Sequence, residues 1–488
     1  MNKKISLSLN AFLNSLRSVL NLLFPLITFP YVARVLSVNG VGIYNFSNTY
    51  VSYFILIAGL GIATYAVREG AKYRDNEEKI SQFASQIFTI NIYSTIIAYV
   101  LLVGTLLIFK NLHNYISCIL IFGLQIIFTT IGTEWIYIIY EDYLYITIRS
   151  ILFKIFSIIL LFILVRKPED YLWYAAITVF ASVGSNIFNY VHTKSFCNIK
   201  LVKNTNWRYH LKPILIIFAS SVAVTLYVSS DTTILGLLKN DYAVGIYSVS
   251  VKIYQMAQGL LSALLTVTIP RLAMLLGQRK LKEYNQVLSG VIETLGVLVL
   301  PASVGLIMLS KDVMLIIAGH KYLPSVNSLR IITWAIIFSI FAWIFSDCVL
   351  IPAKRENLVL RNTIVTAIEN IILNFILIPF MSYDGTSLST VLAEFTVMIM
   401  NGYSCWDIIK PVILRKDTLK NILDSIIGCV GIIFICILCD VLFKSLILKA
   451  IFSVVLSVIM YGAILILLRN KNAYSMLNRA KMIFRNKL

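Results

Sequence analysis

The sequence predicts an all-α polytopic membrane protein. It should have about 14 transmembrane helices, in two six-helix lobes around a central cavity, with two further C-terminal helices. Three observations predict this. The 488 residues are 59% hydrophobic and 13% charged, against about 45–50% and about 25% in soluble globular domains. Apolar runs of about 20 residues, enough to span a bilayer core of about 30 Å, follow one another along the chain. A short motif also recurs at an offset of 203 residues, six predicted helices later. No polar stretch is long enough to fold as a soluble domain. A soluble multi-domain enzyme and a single-span anchor are both excluded.

Each run is bounded by charges or turn residues. Asn10–Leu36 follows the basic Met1–Lys4, carries no small-residue cleavage site and reads as a retained first span. Val41–Ala63 stops before Arg68, Phe83–Phe109 at Lys110, and Ile116–Tyr140 at Glu141-Asp142. Leu144–Val165 stops at Arg166-Lys167, and Leu172–Val191 before a basic linker. Pro213–Leu238 ends at Lys239-Asn240, Ala243–Ile269 at Pro270-Arg271, Val287–Leu309 before Lys311, and Leu323–Ile351 at Pro352. Leu358–Met381 and Ser387–Cys405 complete the second lobe, and Ile422–Phe443 and Ser445–Leu468 have no counterpart in the first. The implied organisation is an N-terminal lobe over 1–191, a cytoplasmic linker over 192–212 and a C-terminal lobe over 213–405. Helices 13 and 14 then occupy 406–468, and a basic cytoplasmic tail occupies 469–488.

The formal charge of +19 is spread in small groups between apolar runs. That is a topology pattern and not a nucleic-acid-binding face. With the N-terminus inside, the cytoplasmic segments hold 28 of the 42 Lys and Arg and the opposite face nine, which places both termini in the cytoplasm. Seven cysteines, most of them in apolar runs, make no disulfide framework, and Cys436 with Cys439 lacks the partners of a metal site. The repeat pairs Val41-Gly42-Ile43-Tyr44 with Val244-Gly245-Ile246-Tyr247, and Arg68 with Arg271. An even number of intervening helices gives the two halves one orientation, related by an axis along the membrane normal. Parallel bundles of that kind enclose a cavity.

No phosphate-binding loop, nucleophile elbow, zinc signature or dinucleotide fingerprint is present, and all four histidines fall in predicted loops. The informative residues are ionisable groups inside spans. Each costs at least about 2.5–3.5 kcal/mol at mid-bilayer and therefore faces a bundle interior or a wet cavity. Arg17, with Asn21 one turn along the same face, Lys252 and Arg330 are candidates for binding an anionic substrate. Asp231, Glu134, Asp347 and Glu394 are candidates for ion coupling or for lining the cavity. Arg149 and Lys154 read as structural pairs or headgroup contacts. Pro25 and Pro30 each remove a backbone hydrogen bond from the first span. The resulting bend either gates a cavity or only shapes the packing.

The segment Leu22-Leu23-Phe24-Pro25-Leu26-Ile27-Thr28-Phe29-Pro30-Tyr31, followed by Arg34-Val35-Leu36 and Gly42-Ile43-Tyr44, resembles the first-helix signature of the polysaccharide transport proteins. These are the repeat-unit flippases for O-antigen and capsule within the multidrug/oligosaccharidyl-lipid/polysaccharide exporter superfamily. Arg68-Glu69, Trp135, Glu141-Asp142, Tyr227 with Asp231, Gly245-Ile246-Tyr247, Pro270-Arg271, Leu329-Arg330, Pro352, Asn374, Pro379 and Glu394 extend the resemblance in order. His320-Lys321-Tyr322 and the acidic Asp347 depart from the pattern.

The resemblance implies a 12- to 14-helix transporter of the bacterial plasma membrane and no enzymatic activity. Its cargo would be an undecaprenyl-pyrophosphate-linked oligosaccharide, moved from the inner to the outer leaflet by alternating access for surface polysaccharide biosynthesis. The implied partners are that lipid-linked sugar, membrane lipids, glycosyltransferases and a polysaccharide polymerase, with no nucleic acid. No cofactor is expected, and coupling to a proton, a sodium ion or the membrane potential stays open. The competing readings are a cation-coupled drug or metabolite antiporter on the same scaffold, and a membrane sugar polymerase or ligase. The short outer loop near Ser310–Tyr322 counts against the polymerase.

Overall fold

The computed structural model describes residues 24–471, so Arg17, Asn21 and most of the basic tail lie outside the described residues. The described chain is helical, with no strand among its residues. Eleven of its helical spans are long and apolar enough to cross a membrane. A twelfth, Asp241–Ala263 with Thr268–Gly277, is bent by 46°. Pro270 follows that bend, where a proline ring removes one backbone bond and crowds the carbonyl four residues earlier. The chain divides into two compact units, Met1–Gly245 and Ile246–Leu488.

The first unit begins with α1 (Phe24–Val35), α2 (Val38–Gly59), α3 (Ile62–Gly70), α4 (Glu77–Ile108) and α5 (Ile116–Gly132). It continues with α6 (Glu134–Ile139), α7 (Tyr143–Leu164), α8 (Tyr171–Val183), α9 (Asn186–Thr193) and α10 (Trp207–Leu238), and takes in the start of α11 (Asp241–Gly277). Helix α10, placed by sequence in the second lobe, packs on α2 and α3 inside this unit. The expected span Val41–Ala63 is broken instead of ending: Leu60 (φ 46°) and Gly61 (φ 72°) are both left-handed, and α3 with the 3-10 turn Ala71–Tyr73 carries the span on. A second break at Thr133 (φ 41°) separates α5 from α6. The core between α3, α4 and α6 buries Ile62, Tyr65, Ile80, Phe83, Ile87 and Trp135.

The second unit continues α11 and adds α12 (Leu281–Met308), α13 (Ser310–Ile317), α14 (Ser325–Trp343), α15 (Glu356–Met381) and α16 (Tyr383–Ser404). It closes with α17 (Trp406–Ile413), α18 (Lys416–Leu442) and α19 (Leu446–Leu467). The expected outer loop after Ser310 is in fact α13. Helix α14 runs into a π-helical turn, Ile344–Leu350. Helix α16 is a full 22 residues, but its buried face carries Thr386, Ser387, Ser389, Glu394 and Asn401, which lowers its hydropathy as a span.

Polarity is inverted relative to a soluble protein. Leu107 (76%), Phe380 (86%) and Val441 (79%) are exposed, whereas Asn362, Thr366 and Asn374 are fully buried. In lipid, apolar side chains face outward and polar ones find partners between helices. Helix α15 illustrates this: Asn362, Thr366, Asn370 and Asn374 recur every four residues on one face. Asn362 donates to Asn401 Oδ1 (2.9 Å), and Ser389 Oγ donates to Asn374 Oδ1 (2.9 Å), tying α15 to α16.

Candidate functional site

In the first unit, α1 keeps Pro25 and Pro30 inside a continuous helix through Val35. Its C-terminal half is held by Tyr31, whose hydroxyl donates to Val165 O (2.7 Å) and whose ring meets Phe162 edge-on at 4.6 Å. Val32 and Leu36 pack with Leu161 and Ile177. Asp231 is buried on α10. Tyr53 Oη and Thr233 Oγ1 share a hydrogen bond of 2.9 Å.

Glu134 opens α6, with its carboxylate 4.0 Å from Nη2 of the buried Arg149. Arg149 lies over the Tyr145 ring at 5.9 Å. Tyr145 stacks on Tyr137 (5.2 Å) and on His192 (4.3 Å). The structural pairing read for Arg149 is therefore present, and its partner is one of the candidate coupling acids. His192 lies in α9 and His210 in α10, not in loops. His210 is enclosed between Tyr65 Oη and Gln86 Oε1, each at 2.8 Å.

In the second unit, Lys252 is half-buried on α11. Among the described residues it makes no hydrogen bond or ion pair. Its ammonium is desolvated with no counter-charge supplied by those residues. Arg330 is exposed on α14, and its Nε donates to Ser310 Oγ (2.9 Å). Asp347 sits mid-way along the π-helical turn, where Ser346 Oγ donates to its Oδ1 (2.9 Å). π-Bulges are frequent at functional positions, because the extra residue re-aims side chains. Glu394 is buried on α16.

Two further polar clusters were not anticipated. Glu293 on α12 accepts from Ser289 Oγ (2.9 Å), Thr418 Oγ1 (3.0 Å) and Asn421 Nδ2 (3.0 Å), fastening α18 to α12. Outside the spans, Arg355 donates twice to Asp407 (2.8 and 2.6 Å). That guanidinium holds the Asp407 carboxyl below the usual carboxylate range. Apart from Ser289, one turn from Glu293, the partners lie far apart in sequence and leave no spacing signal.

The fold and these buried polar groups define a multi-span helical membrane protein with ionisable side chains held inside its bundles. Residues 7–276 match the polysaccharide biosynthesis protein family, and the chain belongs to that family. It is 24% identical over 390 residues to a putative O-antigen transporter of Shigella dysenteriae, covering 78% of this chain and 95% of that one. Against a putative O-antigen transporter of Escherichia coli (strain K12) it is 24% identical over 290 residues, 57% and 68% of the two chains. Among solved structures, the lipid II flippase MurJ in its inward closed conformation superposes with a TM-score of 0.72 at 16% identity. That alignment covers 94% of this chain and 98% of the other. An inward-facing multidrug resistance MATE family transporter of the MOP superfamily gives 0.59 at 14% identity, over 81% and 99%. The chain shares the fold of these transporters.

Proposed function

We propose that the protein is a flippase, not an enzyme, and that it moves undecaprenyl-pyrophosphate-linked oligosaccharide repeat units from the inner to the outer leaflet. The observation that carries this reading is Lys252, a cation in a membrane helix to which the described residues bring no anion. Holding an unpaired charge inside a bundle costs several kcal/mol, and a diphosphate arriving with the cargo offsets that cost through charge-assisted bonds. Arg17, Arg330 and Asn21 are assigned to the same anion, Asp231, Glu134, Asp347 and Glu394 to ion coupling or the cavity wall, and Pro25 and Pro30 to gating. The family match and the O-antigen transporter relatives support the sugar cargo.

The transport problem is physical. Each sugar hydroxyl moved unpaired into hydrocarbon costs several kcal/mol, so the head group needs a wet path while the prenyl tail stays in lipid. Alternating access between the two repeats provides such a path. The charge bias between the two faces supports cytoplasmic termini and a bacterial inner-membrane location. Outward movement of an anion gains about 2.3 kcal/mol per charge per 100 mV of inside-negative potential, so the potential alone can set direction.

The test uses purified protein in liposomes with a fluorescent lipid-linked oligosaccharide and a quencher that cannot cross the membrane. Lys252→Gln should slow flipping at least roughly tenfold, one charge-assisted bond being worth about 1.5–3 kcal/mol, while Lys252→Arg keeps most of the rate. Flipping at the full rate in Lys252→Gln would remove the basis of the proposal.

A further inference from the structure

The linker between α9 and α10 is not loose. From Asn198 to Val202 it runs extended along α4, held by a ladder of hydroxyls. Asn198 N donates to Ser81 Oγ (3.0 Å), Lys200 N to Ser85 Oγ (3.0 Å) and Val202 N to Thr89 Oγ1 (3.1 Å). Ser81, Ser85 and Thr89 stand four residues apart, so each step rises about 6 Å along α4. Two extended residues cover about 6.6 Å. The two spacings match, and every second amide of the strap meets a hydroxyl. Cys197 and Ile199 pack into the core between α3, α4 and α6 and fix its start.

The match leaves the other edge open. An extended chain turns successive N–H groups to opposite sides, and an unpaired edge presents them as a row. The N–H groups of Leu201 and Lys203 therefore point away from α4, and among the described residues they make no hydrogen bond. Positive charge gathers on the same stretch. Lys194, Lys200, Lys203, Arg208 and Lys212 lie in or beside the strap, and no acidic residue occurs between Asp170 and Asp231. The acids of α4, Glu77 and Glu78, sit in its first turn, before the ladder begins. Apolar groups flank the cations. Leu201 is 66% exposed, and the exposed rings of Tyr93 and Trp207 pair at 5.7 Å. Tyr93 stands one turn beyond Thr89, and Trp207 opens the membrane-spanning α10. All of these residues lie within the first unit.

We propose that this open edge binds the phosphate of an anionic phospholipid in the cytoplasmic leaflet. Free backbone N–H groups and lysine ammoniums together make charge-assisted bonds to phosphate oxygens. Basic segments beside a span are drawn to anionic headgroups, and Trp and Tyr collect at that level. The aromatic pair at the foot of a membrane span, with Leu201 beside it, favours lipid over a soluble acidic protein. The ends of the chain do not supply the anion, because residues 1–23 and 472–488 contain no Asp or Glu. Bound here, the lipid pins the strap and the start of α10 at the inner surface. The proposal goes beyond the transport reading and holds for any cargo. It rests on the charge bias that puts the linker at the cytoplasmic face.

The test reads hydrogen exchange at single amides and needs no cargo. The full-length protein is placed in nanodiscs of phosphatidylcholine alone, or of phosphatidylcholine with phosphatidylglycerol. The ladder amides of Asn198, Lys200 and Val202 should exchange slowly in both. Those of Leu201 and Lys203 should exchange fast in phosphatidylcholine and roughly tenfold more slowly with phosphatidylglycerol, the effect of one charge-assisted bond. Lys200→Gln combined with Lys203→Gln should remove that slowing. It should leave the ladder protected, because the ladder joins backbone N–H groups to hydroxyls of α4. Lys420→Gln, which neutralises an exposed cation of α18, should leave the response unchanged.

A second variant acts on the backbone itself. Leu201→Pro deletes one outward N–H and no ladder donor, so native mass spectrometry should find less phosphatidylglycerol retained than on the wild type. The site is overturned if phosphatidylglycerol leaves Leu201 and Lys203 exchanging fast, or if Leu201→Pro retains as much lipid as the wild type. It is also overturned if Lys420→Gln weakens the response as much as the Lys200 and Lys203 pair, which would show only a general attraction of cations to the membrane. Slowing by inorganic phosphate in phosphatidylcholine nanodiscs would identify a soluble anion as the occupant and reject the lipid. Loss of the flippase reading alone would appear as absent flipping with the lipid response intact.

Discussion

Gly61 is the position where backbone conformation and packing make separable demands. It joins α2 to α3 at φ +72°, and a Cβ there would come 2.6 Å from Ile217 Cγ2 and 3.2 Å from Phe218 N. Gly61→Ala should lose about 1–2 kcal/mol for a left-handed L-residue and about 1–3 kcal/mol for overpacking against α10, or about 2–5 kcal/mol together. Ile217→Ala removes the side chain met at 2.6 Å but leaves φ untouched. In that background the contacts with residue 217 Cβ (3.1 Å) and Phe218 N (3.2 Å) remain, so the cost of Gly61→Ala should fall towards the conformational part, about 1–2 kcal/mol. Denaturant unfolding of the four proteins in detergent micelles gives the double-mutant cycle, with the coupling energy as readout. An equal cost of Gly61→Ala in both backgrounds would refute the steric argument, and no cost in either would refute both.

Glu293→Leu leaves Thr418 and Asn421 without their shared acceptor, at about 1–3 kcal/mol per orphaned group. It should lower the unfolding midpoint and speed proteolysis near α18, while Glu293→Gln, which keeps one acceptor, loses less; wild-type stability in Glu293→Leu would contradict this. For Asp407, Arg355 depresses the native pKa, so the pair's stabilisation is full above the unfolded carboxylate value of about 3.9 and disappears as pH falls through the lower native value. Asp407 is 59% and Arg355 35% exposed, so screening limits the pair to under about 1 kcal/mol. Asp407→Asn should melt slightly below wild type from neutral pH to about 5, with the gap closing under about pH 4; a gap that persists in acid would show that the carboxylate charge is not its source.

The spans were legible because lipid imposes one rule, long apolar runs with charges at their ends, and that rule is written in composition. What the rule does not encode is where a span breaks. Leu60 and Thr133 adopt left-handed conformations that neither residue type signals, and only Gly61 beside Leu60 hints at the first break. Helix α16 has a weak apolar signal because its inward face is polar, so hydropathy understates a helix that is fully formed. His210 looked like a loop residue because its basic neighbours suggested a linker, yet Tyr65 and Gln86 supply the partners that let it sit in α10. The ionisable residues inside spans stood out by the cost of their placement. Their partners did not, because Glu134 and Arg149 lie on different helices and share no repeat or spacing.

The repeat was visible as four matching residues, but its meaning required backbone positions. A glycine in a membrane helix is a weak signal, because it serves equally as filler, hinge or contact. Two glycines at one offset become specific only when each faces the carbonyl that the same offset assigns to the other. The hydrogen bonds along α15 have a mechanical consequence. Asn362, Asn370 and Asn374 are fully or almost fully buried and bond within the bundle, so separating α15 from α16 would orphan amides where no water can replace their partners. A transporter that rocks needs rigid bodies, and on these grounds α15 and α16 form part of one.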